Sequence, residues 1–211
     1  MYENVKGYIK KLFGELDERV TSIVQTSPSF QAANQSIIKL VENRITSASQ
    51  GYMIDLYCEL SQKTLSEEIF QIPANANKFY ELNMRQQIND SCKFDIQKSE
   101  TYCTGIDFKE IDRNFVSVGA ALGTAAVGGI LLSALSVKID IPMAVIAAGA
   151  VLTGAAGGGV TYAKIIPDKN KENYHKAVQN FMMKLENDLY IWIDEVAKFY
   201  NQKVDDLRAT L

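Results

Sequence analysis

The sequence predicts an all-α protein: an elongated helical bundle that carries a small-residue apolar helical hairpin and is completed by one long C-terminal helix. Two observations predict it. Apolar residues recur at steps of three and four toward both ends of the 211-residue chain, which is one face of an α-helix. Between those ends, two charge-free stretches of 21 residues each, 116–136 and 143–163, flank a short polar turn.

The first element is set by Val5, Ile9, Leu12, Leu16, Val20 and Ile23, spaced 4, 3, 4, 4 and 3. Ser27-Pro28 breaks it and offers a cap and a first-turn proline to the next helix. That second helix is expected from about Pro28 through Ile37, Val41 and Ile45. It either stops near Ala48 or continues past Gly51 through Tyr52, Leu56 and Leu60. Thr64-Leu-Ser-Glu67 has capping-box form and is read as opening a short helix that ends before Pro73. Residues 75–90 read as helix, and residues 91–106, with Phe94, Ile96, Tyr102 and Ile106, as extended or irregular chain.

Past the apolar stretches, Pro167-Asp168 punctuates the chain, and a long helix is expected from about Asn170 to Ala209. Its stripe is Tyr174, Val178, Phe181, Leu185, Leu189, Trp192, Val196, Tyr200, Val204, Leu207 and Leu211, a mean step of 3.7 residues. That period lies nearer an 11-residue repeat than a heptad, so a nearly straight bundle helix is expected rather than a left-handed coiled coil.

The apolar insert carries most of the functional information. From Val116 to Ala163, 48 residues hold two charges, Lys138 and Asp140. A 21-residue helix spans about 31 Å, close to the roughly 30 Å hydrocarbon core of a bilayer. The six residues 137–142 between the arms allow only a tight reversal, with Lys138 and Asp140 at the tip and Pro142 fitting the start of the second arm. Gly, Ala, Ser and Thr make up 13 of the 21 residues of the first arm and 14 of the second. Ala121, Ala125, Gly129 and Ser133, and Ala150, Gly154 and Gly158, form flat small-residue strips of the glycine-zipper kind. Such strips let helix backbones approach closely, which is how helices pack in lipid. The same smallness makes each arm weakly hydrophobic and suits conditional insertion. The competing reading is that the hairpin is the dry core of a helical protein. Lys109, Arg113, Lys164, Lys169 and Lys171 near the outer ends place the polar parts in the cytoplasm by the positive-inside rule.

The rest of the composition narrows the function. A net charge of −3 makes a broad nucleic-acid footprint unexpected. The N-terminal segment is interrupted by Glu3, Lys6, Lys10 and Lys11 and does not read as a secretory signal. Three cysteines, Cys58, Cys92 and Cys103, form no CxxC pair and read as reduced thiols, with a Cys92–Cys103 bridge as the alternative in an oxidising compartment. His175 is the one histidine and reads as a surface side chain. The glycine-rich run 154–161 has Val160 where a phosphate loop needs lysine. Adjacent carboxylates, Glu67 with Glu68 and Asp205 with Asp206, do not face each other on a helix. No catalytic, cofactor or metal site is read, and the protein is expected to be non-enzymatic. Lys6, Lys10 and Lys11 beside Tyr8, Leu12 and Phe13 read either as a wet basic edge of a bundle helix or as a contact to anionic lipid headgroups.

Helices followed by a small-residue apolar hairpin and one long amphipathic helix, from about Asp107-Phe108 to Leu211, resemble the stalk and membrane paddle of bacterial dynamin-like proteins. The resemblance implies a membrane-binding, membrane-reshaping region normally governed by a GTPase domain. This chain carries no GTPase motif, so it implies a GTPase-less relative or a partner of such a system. Two further readings stand beside it: an α-helical, cytolysin-like pore-forming protein, and a hairpin-anchored adaptor. The corresponding organisation is a helical bundle part at 1–115, a membrane-seeking hairpin at 116–163 and a long helix at 164–211 that completes the bundle. The expected partners are the lipid bilayer and either a second copy or another protein. The expected location is membrane-associated, with a soluble form that inserts on a trigger as the alternative.

Overall fold

The computed structural model describes residues 2–110 and 158–211, the side chains of 158–166 excepted. The chain divides into two compact units, Met1–Asp107 with Val178–Leu211, and Phe108–Ala177. Among the described residues there is no strand. The helices are α1 (Glu3–Thr26), α2 (Phe30–Leu65), α3 (Pro73–Glu81), α4 (Met84–Ser91), α5 (Glu100–Thr104) and α6 (Gly158–Arg208), with 3-10 turns at Glu68–Gln71 and Ile96–Lys98. The protein is an all-α helical bundle with a long C-terminal helix.

In the first unit, α1, α2 and the part of α6 from Val178 share one core. Val5, Ile9, Leu12, Leu16 and Val20 of α1 are buried as the spacing predicts, and Phe13 joins them. α2, 36 residues long, runs unbroken past Gly51 and buries Ile37, Val41, Ile45, Met53, Leu56 and Leu60. α1 and α2 are antiparallel: Tyr52 donates its hydroxyl to the Tyr8 carbonyl at 3.1 Å, and Arg44 pairs with Glu15 at 2.9 Å. α6 runs the same way as α2, since Tyr200 meets Thr64 and Arg208 meets Glu67. It buries the expected stripe from Val178 to Leu207 and, beside it, Met182, Ile193 and Ala197. That second row widens the apolar face beyond a single seam, as a helix facing two neighbours requires. Leu211 falls after the helix ends and is exposed.

Several local expectations are corrected. The cap of α2 is Ser29, whose side-chain oxygen accepts from the Ala32 amide at 3.2 Å, and Pro28 lies before the helix. Thr64 and Glu67 do not form a capping box: α2 continues to Leu65, so Thr64 sits in its last turn, and Glu67 turns to Arg208. Residues 75–90 are two helices, because Asn83 takes a left-handed backbone at φ 46 and ψ 46, a conformation asparagine tolerates better than most residues. The stretch 91–106 contains a 3-10 turn and the short α5 within irregular chain. The long helix begins at Gly158, and Pro167 lies inside it instead of ahead of it. A helix that passes through proline forgoes one i−4 hydrogen bond there, a loss that 51 residues of continuous helix absorb.

Gly14 and Gly51 sit on exposed helix surface with nothing within 4 Å of where a Cβ would lie. Glycine costs a helix interior about 1 kcal/mol relative to alanine. Gly14→Ala with Gly51→Ala is therefore expected to raise stability by about 1–2 kcal/mol, read as a higher denaturant midpoint at unchanged slope.

In the second unit, the Phe108 ring stands edge-on to Tyr174 with centroids 5.1 Å apart. Glu172 takes Lys176 at 2.7 Å and Lys169 at 3.4 Å, and these cations hold its carboxyl below the ordinary range.

Candidate functional site

The small-residue strip of the first arm (Ala121, Ala125, Gly129, Ser133), Ala150 and Gly154 of the second, and the tip residues Lys138, Asp140 and Pro142 all lie outside the described residues. Gly158 is the first residue of α6, and 158–163, the end of the second arm, are helical. Among the described residues, no helix is long and apolar enough to cross a membrane.

The chain that follows α4, Cys92–Asp107, forms a strap ahead of the apolar insert in sequence. Local sequence signals shape it. Asp95 caps the 3-10 turn by accepting from the Gln97 amide at 3.1 Å, and Ser99 caps α5 by accepting from Tyr102 at 3.2 Å. Gly105 ends α5 at φ 69, where a side chain would be strained.

Long-range contacts then fasten the strap to the bundle. Tyr102 donates its hydroxyl to Glu42 at 2.8 Å, and the Gln97 amide donates to the same carboxylate at 2.9 Å. Ser99 donates to Asp188 at 2.7 Å. The Trp192 indole donates to the Cys92 carbonyl at 2.6 Å, and Phe94 packs on the Trp192 ring at 5.3 Å. The two donors, Gln97 first, hold the Glu42 carboxyl below its usual range. Burial, with the Glu42 bond behind it, pushes Tyr102 up to about 12. The caps Asp95 and Ser99 are legible as helix-start residues. Their distant partners, and the double role of Glu42, have no sequence signature.

A second set of contacts locks the C-terminal end of the bundle. Arg208 grips Glu67 along one edge of its guanidinium, donating from Nη2 at 2.6 Å and from Nε at 3.1 Å, lies over the Phe70 ring and also pairs through Nη1 with Asp205. Beside it, Tyr200 is buried, donates to Thr64 at 2.9 Å and stands edge-on to Tyr57 and Phe79. Burial is the main reason the Tyr200 hydroxyl is pushed up to about 12. A phenol held neutral by the fold stabilises it fully below the unfolded value near 10, and that contribution is lost as pH rises toward 12. Tyr200→Phe is thus expected to cost about 1 kcal/mol at neutral pH. It should also flatten the loss of melting temperature above pH 10, checked by melts across an alkaline series.

The N-terminal basic face is resolved in part. Leu12 and Phe13 are buried in the core and do not face lipid, since the packing of α1 on α2 takes both. Lys6 pairs with Asp194 at 3.3 Å, while Tyr8, Lys10 and Lys11 remain exposed. Tyr8 and Lys11 border a cleft of about 550 Å³ between α1 and α2, floored by Leu12 and Ala48.

The flanking cation Lys109 is exposed, and Lys169 is partly covered beside Glu172. His175 is half-buried on α6, more covered than a free surface residue. Cys58, Cys92 and Cys103 are free thiols; burial raises that of Cys92, which lowers its thiolate fraction and reactivity. Among the described residues, no cluster of three or more His, Cys, Asp or Glu is placed to hold a metal.

These features define a helical bundle with polar latches at one end and along a strap. Comparison with known protein families, with curated proteins and with solved structures finds no match.

Proposed function

We propose that this protein is a non-enzymatic, membrane-associated helical protein that inserts into or anchors at a bilayer through residues 116–163. The observation that carries the reading is the pair of charge-free 21-residue arms about a six-residue turn, each of bilayer-spanning length as a helix. Two features support it. The stripes of α1, α2 and α6 already have partners in a core built from residues 5–96 and 178–207, so those stripes find burial without recourse to the arms. The last six residues of the second arm are helical.

The resemblance to a stalk and paddle gives the proposal its particular form. The protein acts as a partner or GTPase-less relative of a dynamin-like membrane-remodelling system, with its polar parts on the cytoplasmic side and a second copy or another protein as its contact. Fractionation of expressed protein tests the reading. A membrane pool that resists carbonate and needs detergent is expected; a chain found wholly in the aqueous pool contradicts it. Dye release from liposomes on binding would redirect the proposal to pore formation.

A further inference from the structure

The strap is held differently from the bundle it lies on. α1, α2 and α6 bury row upon row of aliphatic residues, whereas between Cys92 and Asp107 only Ile96 is buried, and α5 buries nothing. Besides the Trp192 contacts to Cys92 and Phe94 at its start, its fasteners are side-chain hydrogen bonds to two carboxylates, Glu42 and Asp188, which water can replace. Apart from Cys92, its described backbone hydrogen bonds close the strap's own turns. Low apolar anchorage and solvent-replaceable bonds define a segment that opens locally before the fold does.

We propose that Cys92–Asp107 is a detachable strap: it lifts from α2 and α6 as a unit while the α1–α2–α6 core stays folded. Its release, together with that of the Phe108–Tyr174 ring contact, gives the chain that follows the slack that bilayer insertion uses. The second half of this proposal rests on the membrane reading above. Sixteen freed residues reach up to about 50 Å when extended. Opening also uncovers Trp192, the protein's single tryptophan, which bonds the Cys92 carbonyl and packs at a tilt against the Phe94 ring. Its emission is therefore a built-in reporter of the strap.

The test mixes the full chain with vesicles of about three parts phosphatidylcholine to one part phosphatidylglycerol. It reads flotation, Trp192 emission and amide exchange together. The expected result is flotation with a red-shifted Trp192 and loss of protection at 96–104, while α1 and α2 keep theirs. Without lipid, Glu42→Ala with Ser99→Ala removes three hydrogen bonds to carboxylates and should speed strap exchange by about a hundredfold or more. The same pair should let the protein float at lower lipid. Flotation with Trp192 and strap exchange unchanged overturns the strap's role and leaves the membrane reading standing. A wild-type chain that does not float fails the membrane reading and the second half with it. Strap amides that exchange only with global unfolding overturn the first half, whatever lipid does.

Discussion

Leu189→Ala is expected to remove about 2–5 kcal/mol of stability, enough to lower the melting temperature by about 4–20 °C. Leu189 is completely buried, flanked on α6 by Leu185 and Ile193, which are equally buried. Truncation loses the transfer energy of the removed carbons and leaves a cavity that three packed helices cannot close. For a domain whose total stability is about 5–15 kcal/mol, that is a large share. Met183, also on α6 but 62% exposed, is the control: Met183→Ala should change stability by no more than about 0.5 kcal/mol. Urea melts of both variants check the pair. Equal effects would mean that the α6 face is not the core face.

Two extra acidic residues placed between Lys138 and Asp140 are expected to cut membrane partitioning by about a hundredfold or more. The tip must cross the bilayer if the hairpin inserts fully, and each charge carried into it costs roughly 3 kcal/mol on insertion scales. The native tip carries one cation and one anion, which can neutralise each other; added acids have no such partner. Flotation at fixed lipid measures the loss. Unchanged flotation would show that the tip stays on the side from which it started and that the arms lie along the surface.

The residues differ in how much they disclosed in advance. Stripe residues such as Ile9, Ile37 and Leu185 are legible because burial repeats with the helical period, and a periodic signal survives ignorance of the partner. The boundaries were less legible. Thr64 and Glu67 match a capping box letter for letter, yet one finishes α2 and the other binds Arg208, because the apolar face of α2 outlasts the local cap signal. Asn83 splits a segment that is polar enough to look continuous, and the split rests on one left-handed residue. Pro167 reads as a stop and is carried inside α6, a case of the flanking helix overriding one residue's preference. The strap is the least legible part. Its caps, Asp95 and Ser99, are local, but Glu42 and Asp188 act on it from 55 and 89 residues away in sequence, and no spacing announces such a pair. The small-residue strips are read from Gly, Ala, Ser and Thr at four-residue strides, and all but Gly158 lie outside the described residues.

In the proposed function, residues 116–163 confer membrane association on a bundle that folds without them. Replacing that segment by a short Gly/Ser linker, then measuring flotation with liposomes alongside the helical signal and the thermal melt, tests it most directly. The expected result is a helical protein that melts cooperatively and stays at the bottom of the gradient. A linker variant that still floats would move the lipid contact to the bundle, to Lys10 and Lys11 first. One that aggregates or fails to fold would make the hairpin part of the core, and either result would rule out a separable membrane hairpin.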